Sequence, residues 1–136
     1  MSIRQKRMYP HTITVINLAN DKGIITGYLT EIDTVLYQDK QKVRTGGETH
    51  FSDNQGYVQI PNFSKQMENY LDEEDWKKLS DEDKKEYWTL QKNDFILKGT
   101  TEETNYKEIN KKRTIESYED IDYSIRIGKH IGITLK

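Results

Sequence analysis

The sequence predicts a mainly β protein, a small antiparallel β-barrel or sandwich with a short helical insert at about residues 64–90. Three observations predict it. Both ends of the chain alternate apolar or β-branched residues with polar ones at period two, the pattern of half-buried strands. The middle, residues 64–90, has neither Gly nor Pro, is rich in Glu, Asp and Lys, and carries helix-start signals. Gly, Asn and Asp punctuate the alternating regions, as turns require.

In chain order, residues 1–10 form a short basic tail ending at Pro10, either a solvated terminus or an arm that docks on a neighbouring subunit. Residues 11–17, HTITVIN, are a strand with Ile13 and Val15 on one side and Thr12, Thr14 and Ile16 on the other. Residues 20–23, NDKG, make a turn. Residues 24–38 are a second extended run. Residues 39–56 are a long polar loop with Gly46 and Gly47 at the tip of a candidate hairpin. Residues 57–61, YVQIP, are a short strand with Val58 and Ile60 on one face.

The insert reads as two short helical segments. Asp72 can cap the first, which carries Trp76 and Leu79 at helical spacing. Ser80 opens the second, with Asp81, Glu82 and Asp83 where a helix N-terminus favours acids. Asn93 and Asp94 end the insert, and residues 95–98, FILK, are a strand stopped by Gly99. Residues 114–118, TIESY, are another strand, followed by a turn at 119–122. The run SIRI at 124–127 is expected to pair across Gly128 and Lys129 with HIGITL at 130–135.

Composition narrows the function classes. The 136 residues fit one domain, 1–136. Hydrophobic residues make up 33%, matched by 32% charged, and mean hydropathy is −0.96. A globular domain usually holds about 45–50% apolar residues, so long polar loops or burial against partner subunits are expected. Nine Tyr, three Phe and two Trp argue against disorder. A net charge of −2 lacks the basic excess of a general nucleic-acid binder. With no Cys, there is no disulfide framework or thiolate metal site, and a reducing compartment is expected. No signal-peptide core and no apolar run of about 20 residues is found, so no membrane partner is expected.

The sequence offers no catalytic apparatus. His50 lies near Glu48 and Asp53, but in no metal-ligand spacing, and reads as a solvated loop residue. His11 and His130 read as strand-end residues. There is no nucleophile elbow and no Gly-rich phosphate loop. Adjacent carboxylates such as Glu73 and Glu74, or Glu102 and Glu103, diverge on any regular element. Hence no catalytic, metal or cofactor residue is assigned, and the chain is expected not to be an enzyme. Trp76, Tyr87 and Trp88 could be stacking platforms for a nucleic-acid strand, but their neighbours are charge-balanced. They are assigned, with Phe95, to packing or a subunit interface.

Short motifs at both ends carry a resemblance. They are residues 8–15, MYPHTITV; the run Asp94 to Gly99, DFILKG; residues 114–117, TIES, with the acidic break after them; and the Gly128-Lys129 turn between the last strands. Together they resemble small head–tail joining proteins of long-tailed bacteriophages and their prophages, over about three-fifths of the chain. The resemblance implies a β-barrel that assembles as a homo-oligomeric ring in the virion neck, after synthesis in the bacterial host cytoplasm. The ring would be a head–tail connector of the stopper type, below the portal and its adaptor. Its partners would be the adaptor- or portal-side neck protein, a tail-completion or tail-terminator protein, and packaged double-stranded DNA in the channel. By position, the channel or docking loop is residues 39–56, with Lys40, Lys42, Arg44, Gly46, Gly47 and Glu48. Alternatives are a tail-terminator or tail-completion protein, or a small non-enzymatic domain that binds a host protein.

Overall fold

The computed structural model describes residues 7–39, 55–122 and 129–136. The chain is mainly antiparallel β. Its strands are β1 (His11–Asp21), β2 (Ile24–Asp39), β3 (Gly56–Pro61), β4 (Phe95–Lys98), β5 (Arg113–Asp122) and β6 (Lys129–Leu135). They close into an irregular ring in the order β1-β2-β3-β6-β5-β4, with every neighbouring pair antiparallel.

β1 and β2 are joined by a two-residue turn in which Lys22 (φ 52°) and Gly23 (φ 89°) both adopt left-handed backbone. That is the geometry of a type I′ hairpin turn, whose twist matches that of its strands. β2 is long because it serves both halves of the ring. Residues 24–35 pair with β1, and residues 36–39 pair with β3. Within the β1 pairing, between Ile32 and Val35, the register shifts by one residue, and Thr34 takes φ 57°. This bulge reverses which residues face inward. Ile32 is buried before it, and Val35 and Tyr37 after it. A second shift, between Ile115 and Ser117 in β5, lets Ile115 and Tyr118 both pack on the core.

The interior is filled with side chains, chiefly Ile13, Val15, Ile32, Val58, Ile60, Leu90, Ile96, Ile131, Ile133 and Leu135. Outside β1 lies a second, smaller cluster of Ile16, Leu97 and Ile109, supported by Leu29, Phe95 and Tyr106. β1 is therefore buried on both faces, which accounts for the apolar Ile16 among its polar residues. The outer layer comes from the stretch around the 3-10 turn Tyr106–Glu108, where the Tyr106 ring lies against Gly27.

The insert between β3 and β4 comprises a 3-10 turn, Lys65–Asn69, and two short helices, Glu73–Lys77 and Asp81–Lys84. Ser80 caps the second by accepting from the Asp83 N–H at 3.3 Å. Asp72 occupies the N-cap position of the first, but its side chain makes no capping bond. The expected turn at 119–122 is instead strand: Glu119, Asp120, Ile121 and Asp122 pair with residues 129–132 of β6. Acidic residues are tolerated there because, among the described residues, that stretch of β5 has β6 as its one strand neighbour. The expected SIRI strand at 124–127 lies outside the described residues. Tyr9 belongs to the folded body rather than to a solvated tail: it is buried and meets Phe63 edge-on at 5.6 Å.

Candidate functional site

The antiparallel order gives the ring two unlike ends. At one end lie the start of β1, the ends of β2, β4 and β6, and the starts of β3 and β5. From this end residues 40–54 depart and return. Its mouth is built around Tyr37. Lys98 Nζ stands 5.5 Å above the Tyr37 ring, and His11 Nδ1 accepts from the Tyr37 N–H at 3.0 Å. Arg113 Nη1 donates to Asp39 Oδ1 at 2.6 Å, and Gly56 leaves room for the guanidinium. Burial raises the Tyr37 hydroxyl pKa, with Arg113 opposing and Asp39 adding to the shift. Thus the end of β2 at Asp39 is tied to β5 by one arginine, which lies against Gly56 at the start of β3. The six loop residues named from sequence (Lys40, Lys42, Arg44, Gly46, Gly47 and Glu48) lie outside the described residues.

The insert closes the other end. Trp88 is fully buried in the main core, and its indole N–H donates to the Gln66 carbonyl at 2.7 Å. The Tyr70 ring lies against it at 4.8 Å. Trp76 is also fully buried, but between the insert and the β1–β2 ribbon. It donates to the Tyr87 carbonyl at 3.0 Å, meets Tyr28 edge-on at 5.7 Å and carries Lys84 Nζ over its ring at 5.4 Å. Both indoles thus satisfy their one donor inside the protein, leaving no exposed face for a base. Tyr87 is half-buried, and Phe95 packs on the outer cluster under Lys112. These four aromatics do not form one site. Around them the insert is acidic, with nine carboxylates against five lysines over residues 64–90.

Sequence reading missed a buried polar cluster that fastens the insert to β1. Asp94 Oδ2 accepts from Gln91 Nε2 at 2.7 Å and from Asn17 Nδ2 at 3.1 Å, while Oδ1 accepts from the Leu18 N–H at 3.3 Å. Asn17 also exchanges hydrogen bonds with the backbone of Thr89. Asn17, Gln91 and Asp94 are all buried. Among the described residues no cation joins them, so burial dominates and lifts the Asp94 carboxyl to about 6, against the pull of its three hydrogen bonds. The sequence signal was an acid directly before an apolar strand. Asn93 assists by adopting φ 75° in the turn where the Asp94 N–H bonds the Gln91 carbonyl at 3.1 Å.

Among the described residues no cluster of His, Cys, Asp or Glu could hold a metal, and no helix is long and apolar enough to cross a membrane. The Asp94 cluster is sealed and already hydrogen-bonded, so its role is structural.

Fold and site together define a closed six-stranded antiparallel β protein, with one end plugged by an acidic insert and the other carrying a long connection on a mouth that holds Lys98 and the Arg113–Asp39 pair. Over residues 8–136 the chain belongs to a family of unknown function, DUF6751. No curated protein and no solved structure matches it.

Proposed function

We propose that this chain is a non-enzymatic structural subunit of a phage neck, a head–tail connector of the stopper type that works as a homo-oligomeric ring. The polarity of the fold carries the reading. The 40–54 connection leaves from a mouth bearing Lys98 and the Arg113–Asp39 ion pair, opposite an acidic end sealed by the insert. The interior is filled with apolar side chains, so any channel must lie between copies rather than through one. A ring satisfies this and supplies neighbours for a chain poor in apolar residues. In such a ring these mouths and their loops meet the channel or the next ring, where Lys40, Lys42 and Arg44 contact DNA phosphates. Adaptor and tail proteins stack on either side, in the virion neck.

The test is reconstruction of particles from the phage or prophage that encodes the chain, together with deletion of Thr45 to Thr49. A ring of copies at the neck is expected, and particles of the deletion should lose packaged DNA or fail to join tails. A single copy, or a position elsewhere in the particle, refutes the reading. Full genomes and normal infectivity in the deleted phage refute the role of the loop.

A further inference from the structure

Beyond residue 16, β1 and β2 continue as a two-stranded ribbon, because β4 pairs only with residues 13–16 of β1. The two edges of this ribbon are treated differently. In a type I′ hairpin the residues flanking the turn exchange both hydrogen bonds, and the pattern then alternates. Even-numbered residues of β2 therefore bond β1, and even-numbered residues of β1 face outward. On the β1 edge, Leu18 is capped by side chains: its N–H donates to Asp94 and its carbonyl accepts from Gln91 Nε2 at 3.1 Å. On the β2 edge, the outward groups belong to Ile25, Gly27, Leu29 and Glu31, and among the described residues no hydrogen bond reaches them.

A groove of about 380 Å³ runs along this open edge, with the consecutive residues Thr26 to Leu29 as its floor. Its walls are Lys85 from the insert on one side and Thr101, Glu103 and Thr104 on the other. The Glu103 carboxylate is already engaged, accepting from the N–H groups of Thr104 and Asn105 at 3.1 Å each. Lys85 is exposed and makes no ion pair among the described residues. At the turn end, Ile24 (72% exposed) and Ile25 (46% exposed) offer apolar contact. An open strand edge supplies main-chain affinity to an added strand, and its flanking side chains supply selectivity.

We propose that this groove is a docking site for an extended strand of a partner protein that carries a carboxylate opposite Lys85. A second copy of β2 fits poorly, since a two-fold pairing centred on the groove brings two Lys85 ammonium groups together. The inference goes beyond the ring reading and does not depend on it.

The probe is a blocked synthetic peptide of about eight residues alternating valine and glutamate, with a valine–lysine peptide as control. Amide NMR of the full chain should show shifts and slowed exchange at Ile25, Gly27, Leu29 and Glu31. Lys85→Glu should weaken binding of the acidic peptide by about tenfold, and it should reverse the preference toward the lysine peptide. Ile25→Pro, which removes an outward N–H and leaves the β1 ladder intact, should also weaken binding. Equal binding of both peptides, shifts elsewhere on the protein, or no binding at millimolar peptide overturns the proposal. So does a concentration-dependent dimer that protects the same amides without peptide, since the occupant is then a second copy.

Discussion

The carboxyl of Asp94 should set a pH dependence of stability that one isosteric variant can isolate. Burial lifts its pKa from 3.8 to about 6 in the folded chain. As pH rises, the unfolded chain releases this proton first, so the contribution of Asp94 to stability is greatest below about 4. It declines between about 4 and about 6 and is level above that range. At about 1.4 kcal/mol per pH unit, ionisation at neutral pH costs about 3 kcal/mol relative to acid. Asp94→Asn removes the titration but turns one acceptor into a donor. The amide must face the Leu18 N–H or the paired Asn17 and Gln91 amides, which costs about 1–3 kcal/mol at any pH. Near pH 7 the two effects largely offset, and the variant should be about as stable as the parent. Near pH 4 the parent should be the more stable by about 2 kcal/mol. Urea unfolding of both proteins at the two pH values gives the difference, from which the other titrating groups cancel. A difference that does not change with pH, or that grows toward neutrality in the parent's favour, refutes the account of a buried, unpaired carboxylate.

Trp88→Ala should destabilise by about 3–5 kcal/mol in denaturant unfolding, since it empties the main core and strips the Gln66 carbonyl of its donor; a loss under 1 kcal/mol would contradict that placement. Gly27→Ala should cost about 1–3 kcal/mol, because its Cβ would stand 2.6 Å from Tyr106 Cδ1. Combining it with Tyr106→Ala should cost less than the sum of the two single changes, and strict additivity would show that the ring does not press on Gly27. Thr34→Asn should raise stability by about 1 kcal/mol, since Asn accepts the left-handed backbone that a β-branched residue resists; a lower midpoint in thermal unfolding would contradict this.

The strands that alternate cleanly were legible. Residues 11–17, 57–61 and 95–98 fall within or on β1, β3 and β4; β3 and β4 each keep one register, and β1 keeps one from Ile13 onward. What defeated alternation was the bulges. Ile32, Val35 and Tyr37 all point inward, which no single period permits, and the cause is one left-handed residue at Thr34. The acidic stretch 119–122 looked like a turn because its sequence is rich in charge. It is a strand because β6 supplies a ladder, a fact of pairing that lies 7–13 residues away. The Ser80 cap was readable because all its parts are local. The Asp94 cluster was not, because Asn17 and Asp94 are 77 residues apart and meet only once the ring closes.

The seam between β4 and β5 contains only two residue pairs, Phe95 with Thr114 and Ile96 with Arg113. The line of hydrogen bonds nevertheless continues past the strand, because the Ile115 N–H donates to the Asp94 carbonyl at 2.7 Å and the Asn93 N–H to the Ile115 carbonyl at 2.9 Å. The last turn of the insert is therefore also a course of the wall. It follows that the plug cannot lift away as a lid while the ring stays shut: withdrawing residues 89–94 unbuttons the weakest seam in the same motion. Insert and seam should exchange their amide protons as a single unit, and force applied to the acidic end would be transmitted directly to the strands that hold the opposite mouth.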